Sequence, residues 1–221
     1  MLTQKITVRK ADEFARRVET EVNLYMKAKA QWLKAFQPLF DRSRSYPGSK
    51  EFLGASSLMI QALGSSVGTS SPGQNDEGYC DQFREEHIMT VNLARECLET
   101  FADKKTCGKA VFVFDDTLVA SLFLVATRCR DCGVRKPAIE LLQRHPRREG
   151  LWDSSMAAKV ATWLMNAEEE GMVDGHIPEA ARLRIVKTDL KLSERTAVIR
   201  CSKLVEETGE RVEMEDVTLT W

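Results

Sequence analysis

The chain has 221 residues, of which 43% are apolar and 29% charged, and its 32 lysines and arginines nearly balance 33 aspartates and glutamates for a net charge of -1. Those values lie close to globular averages; they exclude disordered and fibrous classes and an overall basic nucleic-acid binder, and leave one large domain or a domain with a small appendage. The longest apolar run, Leu118 to Ala126 with Ser121 inside it, falls far short of the ~20 residues that cross a bilayer, so no membrane segment is expected.

The N-terminus, "MLTQKITVRKADEFARR", has no apolar signal segment, and the chain has no Asn-x-Ser/Thr acceptor. An intracellular, reducing compartment follows, with free thiols expected at Cys80, Cys97, Cys107, Cys129, Cys132 and Cys201. From Lys10 to Phe40 apolar residues recur at helical spacing (Phe14, Val18, Val22, Tyr25, Ala28, Trp32, Phe36, Leu39), which predicts one long helix or two continuous ones. A second helix is predicted over Lys50 to Leu63. The Gly- and Ser-rich stretch from Gly64 to Gly78 then reads as a flexible loop. A third helix carries the stripe Phe83, His87, Val91, Ala94, Leu98 and Phe101, in which His87 reads as a core histidine.

Val111 to Phe114 is a short strand-like run, and Asp115 and Asp116 suit a helix cap. The segment behind them is apolar on every side, the mark of a helix in the middle of a bundle. Pro137 suits the first turn of a short helix, "AIELLQRH", which Pro146 stops. The next helix, about Ser154 to Glu170, places Met156, Val160, Trp163 or Leu164, and Ala167 on one face, with Gly171 as its C-cap. Beyond Pro178 the period changes from near 3.6 to 2, as at Leu183 and Ile185 and again at Val217, Leu219 and Trp221. Two or three antiparallel strands are expected, with "EETGE" as a hairpin turn. The fold class is therefore mainly α: a multi-helix body over residues 1–178, with a small antiparallel β-hairpin element over 179–221 packed on it.

Four chemical signals call for weighing. Cys129 and Cys132 have the spacing of half a zinc site or a redox pair, but no second ligand pair accompanies them and the pair follows a helical run, so two free thiols are favoured. Gly64-Ser65-Ser66-Val67-Gly68 matches the nucleophile elbow of hydrolases in letters only, because the strand and helix that strain such a turn are not predicted around Ser66. Glu168, Glu169 and Glu170 read as a solvated run, with an acidic contact surface as the alternative. From Arg128 to Arg148, seven arginines and lysines face only Asp131 and Glu140, which is dense enough to hold phosphates. The interspersed and following acids favour a structural corner built from ion pairs. No cofactor or metal site is expected.

Four segments carry a resemblance: "FVFDDTLVASLFLVATRCRD", "VRKPAIELLQRHPRREGLWD", a helix ending in "EEEG", and "ARLRIVKTDLKLSERTAVIRC". Together they resemble the C-terminal regulatory region of fungal binuclear zinc cluster transcription factors, specifically from about Val111 to Ile199 and more loosely through the N-terminal helices. Cys132 stands where that pattern usually has proline, and Pro137 is unusual within it. No six-cysteine DNA-binding module is present, so the chain looks like the regulatory half without its DNA reader. The resemblance implies a non-enzymatic, nuclear regulator, tied to a metabolic gene cluster and acting through protein partners such as the transcription machinery or a DNA-binding homologue. A homo- or heterodimer fits it, and direct specific DNA binding does not. The corner is expected at Arg130, Asp131, Arg135, Arg147, Arg148, Glu149, Trp152 and Asp153, with the charges pairing across the helix between them and Trp152 filling the apolar gap below. The alternatives are a helical small-molecule binder, a hydrolase or thiol enzyme using Ser66 or Cys129 and Cys132, and a cytoplasmic helical scaffold.

Overall fold

The computed structural model describes residues 2–69, 76–102, 111–113 and 117–221. Among these are six α-helices: α1 (Leu2–Ser43), α2 (Lys50–Thr69), α3 (Arg84–Ala102), α4 (Leu118–Arg128), α5 (Cys132–Arg144) and α6 (Ser154–Glu169). The strands are β1 (Val111–Val113), β2 (Arg147–Glu149), β3 (Trp152–Asp153), β4 (Leu183–Lys191), β5 (Thr196–Val205), β6 (Glu210–Glu213) and β7 (Val217–Thr220). The class is mainly α with a C-terminal antiparallel sheet. The expected caps Asp115 and Asp116, Cys107, and the central part of the 64–78 stretch lie outside the described residues.

The N-terminal periodicity resolves as one helix of 42 residues. Among its described side chains, Phe36 and Phe40 in the last turns are buried in the core, while Phe14, Tyr25, Trp32 and Leu39 stay exposed. Helix α2 corrects the loop boundary: it continues through Gly64, Ser65, Ser66, Val67 and Gly68 to Thr69. Burial outweighs poor propensity there, because Val67 packs with Cys80 and Phe83 in a small apolar cluster of its own. Helix α4 has Leu118, Val119, Leu122, Val125 and Ala126 buried and joins residues of α2, α3 and α5 in the main core, as its all-round apolarity implied.

Two boundaries differ from expectation. Helix α5 starts at Cys132, with Asp131 as N-cap, so Pro137 is the sixth residue of the helix rather than part of its first turn. Its missing N–H costs one hydrogen bond near the helix start, which a well-capped helix tolerates. The "PRREGLWD" segment is not a helix corner but a β-hairpin. Glu149 pairs with Trp152 across the two-residue turn Gly150-Leu151, and Gly150 takes the positive φ (+54°) that such a turn needs. On its other side β2 pairs in parallel with β1.

The C-terminal sheet has four strands, one more than the upper expectation. Strand β5 is central: β4 runs along one edge, and β6 and β7 share the other, against Ser202–Val205 and Thr196–Ile199 respectively. The "EETGE" turn joins β5 to β6 with Gly209 at positive φ. Ala197, Ile199 and Cys201 alternate inward from β5 and meet Met156, Val160 and Leu164 of α6, forming a second core. Helix α6 thus serves both cores, since its Ala157, Ala158 and Ala161 belong to the first.

Candidate functional site

The two short acids of the corner end as helix caps. Asp131 Oδ1 accepts from the Gly133 N–H at 2.8 Å while its Oδ2 accepts from Arg84 Nε at 2.7 Å, and Asp153 Oδ1 accepts from the Met156 N–H at 3.0 Å. Glu149 does a related job at a distance. Thr117, the N-cap of α4, makes no capping bond with its side chain, and Glu149 Oε2 instead accepts from the Val119 N–H at 2.8 Å. A carboxylate there satisfies one of the open N–H groups and sits at the positive end of the helix dipole. Arg147 pairs with the same carboxylate at 2.8 Å.

The expected pairing of the six corner charges among themselves is therefore corrected. Within that set Arg147 and Glu149 form an ion pair with each other, and the others reach elsewhere. Arg148 is exposed and its Nε donates to the Gly150 carbonyl at 3.2 Å. The Trp152 ring lies 5.4 Å from that of Phe123, and the side chain touches both cores.

Arg130 and Arg135 find their partners in two acids that the sequence reading placed in solvent or in a loop. Glu168 is 0% exposed, not part of a solvated run. Its Oε1 accepts from Arg130 Nη2 at 2.8 Å and from the Leu183 N–H at 2.8 Å, and its Oε2 accepts from Arg135 Nη1 at 2.7 Å. Arg135, itself 0% exposed, also donates from Nε to the Ala126 carbonyl at 2.8 Å. Glu77, 1% exposed, accepts from Arg128 Nη1 at 2.7 Å, from Arg184 Nε at 2.6 Å and from Arg130 at 3.3 Å. Burial alone would raise the Glu77 carboxyl, but Arg128, Arg130 and Arg184 overcome it and hold the group down at about 2. This network joins the α4–α5 corner, α6, the start of β4 and the segment before α3.

A signal for Glu168 was present: Met156, Val160 and Leu164 recur every four residues, and the next step along that stripe is Glu168. Glu77 carries no comparable signal, because it lies in a polar stretch without periodicity. Burial raises the Cys129 thiol, and burial together with a bond to Glu169 raises Cys132, so both favour the unreactive thiol form. Ser66 lies inside α2 and its hydroxyl accepts from the Lys29 ammonium, which is not the strained turn that activates a nucleophile. Among the described residues no three histidine, cysteine or acidic side chains are grouped to hold a metal ion, and no helix is long and apolar enough to cross a membrane.

No family model matches the chain, and no solved structure matches it. The chain is similar over 53 residues, at 43% identity, to the aspercryptin biosynthesis cluster-specific transcription regulator atnN of Emericella nidulans. The matched segment covers 24% of this chain and 9% of that regulator. Part of this chain is thus related to a fungal cluster-specific transcription regulator.

Proposed function

We propose that the chain is a non-enzymatic regulatory module of the fungal zinc cluster transcription-factor type, corresponding to the C-terminal part of such regulators and working in the nucleus through protein contacts. The observation that carries this reading is the 43% identity over 53 residues with a regulator named for its biosynthetic gene cluster. That name also supports a secondary-metabolite gene cluster as the setting. The geometry supports protein rather than phosphate contacts: Arg130 and Arg135 are buried against Glu77 and Glu168, and Arg128 and Arg147 are paired with Glu77 and Glu149. Guanidiniums held in this way are not free to neutralise a nucleic-acid backbone. The exposed apolar residues of α1, Phe14, Tyr25, Trp32 and Leu39, offer surface for a protein partner or a second copy.

The test is to fuse the chain to an unrelated DNA-binding domain in a filamentous fungus and to measure a reporter behind that domain's site. Reporter output should change relative to the DNA-binding domain alone. Output indistinguishable from that control, with the fusion present and folded, would count against the reading, as would tight sequence-specific duplex binding by the chain itself in a gel-shift titration.

A further inference from the structure

Helix α1 carries two apolar stripes, and the core uses one of them. Leu33, Phe36 and Phe40 face inward and pack in the helical core. The other stripe runs through Phe14, Val18 and Glu21 in the first half of the helix and Tyr25, Ala28, Trp32, Ala35 and Leu39 in the second, at alternating spacings of four and three residues. That is the heptad seam of a coiled coil, with one charged residue, Glu21, in it. All of these side chains are exposed except the half-buried Val18, and Phe14 reaches 70%. The second half of the seam forms one wall of an open groove of about 620 Å³, where Tyr25, Ala28 and Trp32 of α1 face Leu58 and Ala62 of α2. The Trp32 ring stacks on that of Phe36, 4.6 Å between centroids, so the core beneath fixes this wall. Lys29 is the one charged side chain that lines the groove among the described residues. It bonds to Ser66, close to the end of α2 at Thr69, so the first half of α1 extends beyond its antiparallel neighbour.

The charges select what covers the groove. From Val22 to Phe40, α1 has Lys27, Lys29 and Lys34 and no acid, and α2 has no charged residue from Phe52 to Thr69. Burial pulls the Lys29 ammonium below the usual lysine range, with Glu86 offsetting this in part, so a carboxylate entering the groove stabilises the charge there. A basic apolar groove fits an acidic apolar helix, and the first half of the same seam is one: from Asp12 to Glu21 four acids stand against Arg16 and Arg17. The two halves of one straight helix cannot meet, so the contact takes a second copy. Parallel pairing would set lysines against lysines and Glu21 against Glu21, whereas antiparallel pairing opposes unlike halves and closes with two-fold symmetry. We propose that two copies of this chain associate through antiparallel α1 helices, each laying Phe14, Val18 and Glu21 along the α1–α2 groove of the other. With the helices crossing at Tyr25, Glu21 meets Lys29 of the other copy, and Phe14, two turns further on, falls between its Trp32 and Leu39. A single charged seam position of this kind sets register and orientation. The proposal deepens the regulatory reading, on which it rests for its setting, by making a second copy one of the protein contacts.

Sedimentation equilibrium of the full chain tests this, with circular dichroism confirming that each variant is folded. The chain should sediment at twice its mass of 25.0 kDa, with a Kd of ~10 μM or tighter. Phe14→Ala keeps a good helix former at an exposed position and should weaken the dimer by ~10-fold or more, because a large aromatic anchor is lost from the interface. Glu21→Lys and Lys29→Glu should each weaken it several-fold, and the double variant should recover the affinity that either single variant loses. A folded chain that stays monomeric up to ~100 μM overturns the proposal. A dimer indifferent to Phe14→Ala and Glu21→Lys overturns it as well, and a double variant no tighter than the single ones rules out the antiparallel apposition. A monomer leaves the reporter measurement of the regulatory reading untouched, and a silent reporter leaves the sedimented mass untouched, so the two readings fail separately.

Discussion

Replacing Glu168 by glutamine keeps its size and removes its charge, and Arg135 sets the consequence. Both side chains are fully buried, 2.7 Å apart, so the variant leaves a guanidinium out of water without its counter-ion. Breaking a buried pair on one side costs ~3 to 5 kcal/mol, and the urea midpoint of Glu168→Gln should fall accordingly at an unchanged m-value. Glu77 adds a pH dependence. Its carboxyl titrates near 4.5 when free and at about 2 in the fold, so its contribution is complete above 4.5 and is lost as pH falls toward 2. The shift corresponds to ~3 kcal/mol. Stability measured by urea unfolding should therefore decline across that window, and Glu77→Gln should be less stable at neutral pH and show a shallower decline. The corner residues separate in a different way. Trp152→Ala removes a half-buried ring that touches both cores and should cost about 2 kcal/mol, whereas exposed Arg148→Ala should stay within ~0.5 kcal/mol, both checked by thermal melting.

Among the elements, those with a strong period were legible and those decided by tertiary contact were not. The stripes of α3 and α6 and the alternation of β4 and β7 could be read directly, because a face buried in a core leaves its mark every three to four residues or every two, and the stripe of α1 marked a helix although most of that stripe stays exposed. The end of α2 could not: its Gly64 to Gly68 stretch has loop composition, and only the packing of Val67 on Cys80 and Phe83 makes it helical. The "PRREGLWD" hairpin was hidden for a related reason, since its strands are three and two residues long and owe their pairing to β1. In the candidate site the arginines stood out by density, but their acceptors lie 51 and 38 residues away from them in the chain, beyond the reach of any local pattern. Gly171 shows the same division. It follows α6 as expected, yet it is not among the residues with positive φ. What requires glycine is close approach: an added Cβ would lie 2.6 Å from the Ala181 Cβ. Gly171→Ala must push the 3-10 turn Glu179–Ala181 away and should cost ~1 to 3 kcal/mol, read as a lowered thermal midpoint.

For the molecule as a whole, the question is whether the C-terminal sheet is an appendage to an independently stable helical body. Helix α6 has Ala157, Ala158 and Ala161 in the helical core and Met156, Val160 and Leu164 in the core shared with Leu183, Ala197, Ile199 and Leu219. The ion network crosses the same boundary, since Glu168 accepts from the Leu183 N–H and Glu77 from Arg184. A chain ending at Pro178 would bare three large apolar side chains of α6 and strip each buried carboxylate of one donor, a combined loss comparable with the ~5 to 15 kcal/mol by which whole domains are stable. The full chain should therefore unfold in one transition, with near- and far-ultraviolet circular dichroism coinciding. The 1–178 fragment should keep helical far-ultraviolet signal but lose fixed near-ultraviolet signal and bind a hydrophobic dye. Two separated transitions in the full chain, or a fragment with a native near-ultraviolet spectrum, would instead make the sheet an independent unit, and the buried arginine network would then have to be stable on its α-helical side alone.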